Sequence, residues 1–237
     1  MLFYKYLYVT HNTHYRASQI IGNLNTLLSQ YGEIKVRRER TFVYPSTFLM
    51  GNIAGTLDKI VTDENGNLIL AVSYGFANPQ ASSQGGFFKQ VEREMQNVCN
   101  FTIHDQQGNQ AILIAREFDR KVRTFETPKE YSIYDVSENT KLYGAVVKHH
   151  GFEKAKLDVT DASGNTVLHS DFGALGKTIV LSDSGGSEVA TIVEKRISLA
   201  DTWHITYSSC DDRLLPISIC NIIDELRGGL QNASTIY

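Results

Sequence analysis

The stretch Leu214–Leu230, LLPISICNIIDELRGGL, decides how the rest of the chain is read. Leu215, Ile219, Ile222, Ile223, Leu226 and Leu230 recur at helical spacing, and Ile217 and Cys220 carry the apolar stripe almost all the way round. A helix apolar on nearly every side belongs in an interior rather than on a surface. Pro216 sits where a first helical turn tolerates it, and Gly228-Gly229 predict the stop. Nearly everything upstream reads as short strands joined by tight turns. The expectation is a sheet curled around a C-terminal helix.

Working back from that helix, one phrase recurs. KIVTDENGNLILAV (from Lys59), FTIHDQQGNQAILIA (from Phe101), LDVTDASGNTVLHS (from Leu157) and IVLSDSGGSEVATIV (from Ile179) each place an Asp three residues before a Gly. The pairs are Asp63/Gly66, Asp105/Gly108, Asp161/Gly164 and Asp183/Gly186, and YSIYDVSENTKLYGAVV from Tyr131 is a looser copy. Asp favours the first position of a type I turn, because its carboxylate accepts bonds from backbone N–H groups just ahead. Gly favours the fourth, where φ is often positive. Alternating apolar residues flank each turn, so these are β-hairpins. A calcium-loop reading fails for want of oxygen ligands at every second position and a distant closing Glu. The spacing is irregular, which argues against a solenoid or propeller and for a closed barrel.

The N-terminal part is different. Met1–Val9 reads as a strand, Tyr15–Tyr31 as an amphipathic helix ended by Gly32, and Glu33–Tyr44 as a second strand. Two parallel strands so joined favour a right-handed crossover. The polar stretch Asn78–Gly86 marks the main organisational break, followed by a short amphipathic helix through Phe87, Val91 and Met95. The expected division is residues 1–90, a strand-helix-strand segment plus hairpin forming a small domain or a barrel elaboration, and residues 91–237, the barrel with its helix.

A length of 237 residues accommodates one large β domain or two small ones. A net charge of −3 gives no overall drive toward nucleic acid or an anionic membrane, while leaving local basic patches open. The longest apolar runs fall well short of the roughly 20 residues that span a bilayer. The opening MLFYKYLYVTHNTHYR lacks a charged n-region, an apolar h-region and a cleavage site, so no signal peptide is expected. Cys99, Cys210 and Cys220 form neither a disulfide framework nor a C-x-x-C pattern. The expected location is cytoplasmic.

The second half resembles the tubby C-terminal-like superfamily, in particular its LURP-one-related and phospholipid-scramblase-like branch. The resemblance rests on DVTDASGNTVLHS, followed by GKTIVLSDSGGSEVATIVEKRISLADTWHI with its short basic step Lys195-Arg196. The earlier FTIHDQQGNQAILIAREF looks like the same unit, and LLPISICNIIDEL resembles the helix that fills the barrel in that superfamily. It covers roughly residues 87–230. It implies a mainly β (α+β) fold, with about a dozen strands enclosing the helix. It also implies a non-enzymatic module, with some members binding phosphoinositides or associating with membranes. That functional step is analogy.

Several residue sets invite a chemical reading. Gly173-Ala-Leu-Gly176-Lys177-Thr178 has the look of a phosphate loop, but Asp171 stands where the pattern needs Gly, and a strand follows where a helix is needed. A turn between strands is expected there. His11/His14 and His149/His150 lack a third ligand at fixed spacing, so no metal or cofactor is expected. Ser208-Ser209-Cys210-Asp211-Asp212 reads as a polar loop before the last helix. Asp224-Glu225, late in that helix, are expected to face water at the barrel mouth.

The densest basic run is Lys35-Val36-Arg37-Arg38-Glu39-Arg40, and Arg116, Arg120, Lys121 and Arg123 form a second. On a strand, Arg38 and Arg40 share one face, and Lys35, Arg37 and Glu39 the other. Charges on an edge strand discourage sheet-to-sheet pairing, which is the structural reading. The functional reading assigns Arg37, Arg38, Arg40, Arg120, Lys121 and Arg123 to an anionic surface, with membrane phospholipid as ligand and a peripheral membrane position. A protein partner, met by the N-terminal ninety residues, is the alternative. No nucleic-acid motif is recognisable and no enzymatic constellation stands out.

Overall fold

The computed structural model describes residues 20–38, 56–76, 99–116, 129–150, 154–173, 176–197 and 200–234. Within these residues the chain is helical over 20–28 (α1), runs through twelve strands, and ends in helix α2, Leu214–Ser234. The strands are β1 (Glu33–Arg38), β2 (Thr56–Thr62), β3 (Leu68–Phe76), β4 (Cys99–His104), β5 (Gln110–Arg116) and β6 (Lys129–Asp135). They continue as β7 (Thr140–His150), β8 (Lys154–Asp161), β9 (Thr166–Gly173), β10 (Thr178–Asp183), β11 (Glu188–Ile197) and β12 (Ala200–Tyr207). Each strand pairs antiparallel with its neighbours in sequence, and β1 pairs with β12 to close the barrel.

The recurring phrases make the hairpins β2–β3, β4–β5, β8–β9 and β10–β11. In the first, Asp63 N–H donates to Asn67 O at 3.0 Å and Gly66 N–H donates to Asp63 O at 3.1 Å. Asp63 Oδ1 accepts the Asn67 N–H, and Oδ2 accepts its side-chain amide, each at 2.8 Å. Gly66, Gly108, Gly164 and Gly186 take φ of 82–88°. A residue in the left-handed region then forms a bulge, and the strand registers shift beside each turn. The Asn67 and Asn165 amides hold the carboxyls of Asp63 and Asp161 below the usual carboxylate range. In the looser copy, β6–β7, Asn139 takes the positive φ of 51° in place of Gly.

Alternate strand residues (Val36, Val72, Ile103, Leu157, Ile192 and Ile205 among them) point into the lumen and are fully buried. They meet α2. Every residue from Leu214 to Leu226 except Glu225 is buried. Its two small polar side chains bond back to their own helix, Ser218 Oγ to Leu214 O at 3.0 Å and Asn221 Nδ2 to Ile217 O at 2.9 Å. That is how they enter an apolar lumen.

All five hairpin turns and the start of α2 lie at one end of the barrel. There α1 is clamped over the helix entrance. Asn25 Oδ1 accepts the backbone N–H of Arg213 (2.9 Å) and Leu214 (3.2 Å), and its amide donates to Asp212 at 3.1 Å. Arg213 bonds the Leu28 and Tyr31 carbonyls and stacks 4.5 Å from the Tyr207 ring centroid. Tyr143 donates to Asp212 at 2.8 Å. The opposite end, where α2 emerges, is the mouth.

Several expectations need correction. The helix does not stop at Gly228-Gly229 but runs to Ser234; two glycines weaken a helix by roughly 1 kcal/mol each, which a helix already nucleated in the barrel tolerates. Strand β1 is no edge, since both its sides are paired, so its charges cannot serve to block an open edge. It is also antiparallel to both neighbours, and the strand expected at Met1–Val9 lies outside the described residues, as does the Asn78–Gly86 loop. Three strands from the first ninety residues are integral staves of the barrel. Between β9 and β10, Gly176 N–H donates to Gly173 O at 2.8 Å and Thr178 begins a strand, a turn as expected.

Two glycine substitutions should move stability in opposite directions. A Cβ at Gly164 meets no atom within 4 Å, so only its φ of +86° opposes Gly164→Ala, which should destabilise by about 1–2 kcal/mol. Gly22, on the exposed face of α1, also has free space, and Gly22→Ala should stabilise by up to about 1 kcal/mol. Urea unfolding of the two variants checks both signs.

Candidate functional site at the barrel mouth

An up-and-down barrel sends alternate strand junctions to opposite ends, so every D-x-x-G turn marks one end and the residues farthest from it mark the other. The turn end gathers Asp63, Glu64, Asp105, Asp135, Asp161, Asp183, Glu188 and Asp211. The mouth gathers cations: Arg37 and Arg38 where β1 ends, Lys59 early in β2, Arg116 closing β5, and Lys129 opening β6. Lys148, Lys154, Lys156, Lys177 and Lys195 add to them from β7, β8, the approach to β10, and β11.

The inner part of this set is neutralised by the helix. Register places Arg38 and Lys59 on the lumen side, with Val36 and Val61. Lys59, only 1% exposed, reaches Asp224 at 3.1 Å, contacts Asp58, and lies 4.9 Å from the Phe101 ring centroid. Arg38 meets the same Asp224 oxygen at 2.5 Å, and Trp203 Nε1 donates to the other oxygen at 3.3 Å. Burial works to raise the Asp224 carboxyl. The Lys59 and Arg38 charges, with bonds from Lys59 and Trp203, together outweigh burial and leave it below the usual range. One residue on, Glu225 accepts from Arg116 at 3.0 Å and from the Tyr131 hydroxyl at 2.7 Å. The expectation that Asp224-Glu225 face water is therefore corrected: both lie at the mouth, but each is enclosed by cation and ring donors.

The outer part is exposed. Arg37 faces outward beside Thr202 of β12, and Lys148, Lys154, Lys177 and Lys195 are exposed. Arg40, Arg120, Lys121 and Arg123 lie outside the described residues. Sequence reasoning did not join the five lysines into one set, because they are spread over nearly fifty residues, Lys148 to Lys195, with Lys177 met only in the phosphate-loop look-alike and Lys195 only in the step Lys195-Arg196. The turn spacing was the usable signal, since counting away from each D-x-x-G places them all at one end.

The remaining candidates fall apart as sites. His204 packs on the outer side of β12, with Nδ1 2.6 Å from Glu33 and 3.5 Å from Lys195 Nζ, while Cys210 lies at the helix entrance and bonds Asp212 O. Burial first, then nearby Asp212, pushes the Cys210 thiol up to about 12. His11 and His14 lie outside the described residues. Among the described residues no group of three His, Cys, Asp or Glu could hold a metal ion, and no helix is long and apolar enough to cross a membrane. A pair that sequence reading missed is Ser73–His104. The Gly108 carbonyl only accepts, so at 3.3 Å it places the ring proton on Nδ1 and leaves Nε2 to accept from Ser73 at 2.8 Å. This has the polarity of a nucleophile and its base, yet both residues are sealed from solvent. Burial holds the His104 imidazole below its ordinary value, against the Gly108 bond and the Asp105 charge.

No protein-family model matches the chain, and the search of curated proteins finds no match. The chain is similar in structure to a protein from Arabidopsis thaliana solved by X-ray crystallography, at 16% identity, covering 83% of this chain and 91% of that one, with a TM-score of 0.48.

Removing the helix carboxylate should release the mouth. Asp224→Asn leaves Arg38 and Lys59 to share Asp58 and should destabilise by about 2–3 kcal/mol, with a shift in the emission of Trp203, the single tryptophan. Asp158→Asn, in a solvated pair with Lys156, should change stability by less than about 1 kcal/mol.

His104 gives a pH signature. Its folded value is depressed, so as pH falls through the unfolded histidine value of about 6.5 the unfolded chain takes up a proton that the folded chain does not, and stability is lost. The urea midpoint should be lower at pH 5.5 than at pH 7.5 (conditions set at about one unit on either side of that value). In His104→Gln the drop should shrink; an undiminished drop would assign it elsewhere.

Proposed function

We propose that this chain is a non-enzymatic binding module of the tubby-like type that recognises anionic membrane lipid through the cations of its barrel mouth. The observation that carries the reading is convergence. Arg37, Lys148, Lys154, Lys177 and Lys195, far apart in sequence, lie at or beside strand ends at the same end of the barrel, the end opposite the acidic turns, and are exposed there. A local cationic face on a chain of net charge −3 is what an anionic surface selects. The tubby-like resemblance of the hairpin phrases and the barrel-filling helix points to the same ligand class, and to a position at the cytoplasmic face of a membrane.

The non-enzymatic part rests on what the reactive groups are doing. The Ser73 hydroxyl and His104 imidazole are enclosed, the Cys210 thiol is held protonated by its raised pKa, and Asp224 and Glu225 are engaged in ion pairs. Each is a structural group. Arg38 belongs to the same class, because its contact with Asp224 holds the helix; of the two β1 arginines, Arg37 is the exposed one.

Co-sedimentation with phosphatidylcholine vesicles, with and without phosphatidylserine, tests this. Binding should require the anionic lipid and weaken steeply with salt. Arg37→Glu, a change of two charge units at about 1 kcal/mol each near the surface, should lower it roughly thirtyfold. Absence of binding to the anionic vesicles at low salt would sink the lipid reading and leave a protein partner as the ligand.

A further inference from the structure

The mouth is not uniform around its circumference. Going round the barrel from β7 through β8, β9, β10, β11 and β12 to β1, the strands at the mouth are linked by short connections, 151–153, 174–177 and 198–199. The other half is joined by the long stretches 39–55, 77–98 and 117–128. The short-linked half carries Lys148, Lys154, Lys156, Lys177 and Lys195, with Arg37 at its end. Lys148, Lys154, Lys177 and Lys195 are exposed, and Lys156 is partly exposed.

One feature of this arc runs against folding alone. Lys148 and Lys156 are direct cross-strand partners on the outer face, and like charges so placed repel. Asp158, 3.2 Å from Lys156, and Asp171, across from it on β9, offset part of this repulsion. Lys195 has His204 3.5 Å away, itself held by Glu33. The inner mouth cations each have a helix carboxylate; among the described residues, the exposed acids at this end are Glu130 early in β6 and Asp171 late in β9.

We infer that this short-linked arc of the mouth, Lys148, Lys154, Lys156, Lys177 and Lys195 with Arg37, is the surface that seats on an anionic bilayer, with the barrel held mouth-down and its acidic turn end directed away. The inference rests on the lipid reading above and adds the contact residues and the orientation. Screening decides the orientation. A strand of eight residues such as β8 runs roughly 26 Å at about 3.3 Å per residue, and at a barrel tilt of about 40° it rises about 20 Å along the axis, more than twice the Debye length of about 8 Å at physiological salt. Mouth-down, the turn-end carboxylates lie beyond the reach of the surface charge. Side-on, Asp161, Asp183 and their neighbours would sit within it and cancel the lysines.

The test compares two variants of equal net charge. Lys148→Gln/Lys154→Gln/Lys177→Gln removes three positive charges from the arc, and Lys141→Glu/Ala162→Glu makes the same change at the turn end. All five positions are exposed, and Trp203 emission with a urea midpoint confirms folding. On phosphatidylserine-containing vesicles the arc variant should lose on the order of a hundredfold in affinity, and the turn-end variant less than about threefold. Equal losses would overturn the orientation and the contact residues while leaving the lipid reading in place. An unaffected arc variant would do the same. Failure of the unsubstituted protein to bind would remove the lipid reading and this inference with it, and binding to a short DNA duplex as tight as to the vesicles would overturn the bilayer as occupant.

Discussion

The lumen of a twelve-stranded barrel has to be filled. Eight strands leave an interior that side chains alone occupy, and the diameter grows roughly linearly with strand number, so twelve leave a bore too wide for side chains and too narrow for a second sheet. Helix α2 is the solution, and much else in the chain follows from it. It is apolar all round because it has no solvent face. Its two small polar side chains bond to their own backbone because the lumen supplies few partners. Its first backbone donors are met by Asn25 from α1, since a helix end placed inside a protein needs its orphan N–H groups satisfied.

Where the helix meets the mouth, the constraint changes from apolar to electrostatic. Asp224 is a carboxylate at the edge of a low-dielectric interior, and a group there is tolerated only when paired and hydrogen-bonded. Lys59, Arg38 and the Trp203 indole supply that from three different strands. The same packing divides the cations of the mouth into two populations. Those on the lumen side are tied to α2 and belong to the fold; those on the outer side are turned to solvent and form the candidate ligand face. The hairpin chemistry sharpens the contrast, because each D-x-x-G turn adds a carboxylate to the far end. Turn formation and charge separation along the barrel are therefore one property.

The hairpins were legible because their signals are local: an Asp whose carboxylate reaches backbone N–H groups two and four residues on, and a Gly free to take positive φ. The C-terminal helix was legible because its periodicity is local too. Gly228-Gly229 misled, since intrinsic propensity speaks of an isolated helix and this one is templated by the barrel. Asp224 and Glu225 misled because a charged pair late in an apolar helix reads as its wet end, and nothing nearby in sequence announces Arg38, Lys59 or Arg116. The pleat places Arg37 and Arg38 on opposite faces already in the sequence, but which face is the lumen is set by closure, so the functional reading joined the two. The Ser73–His104 pair, drawn from β3 and β4, carries no sequence pattern at all.

By itself, then, the sequence determined the elements and their class: short amphipathic strands, Asp–Gly turns between them, and a helix that only an interior could accept, which together require a barrel closed around it. Tertiary structure alone decided which charges pair with the helix and which face solvent. Closure brings β1 against β12 and sets β2, β5 and α2 at a common mouth, so that residues more than a hundred positions apart become ion-pair partners. Turn and helix signals are carried by bonds within a few residues of each other. Charge pairing depends on distance in space, and that distance exists only once the barrel has closed.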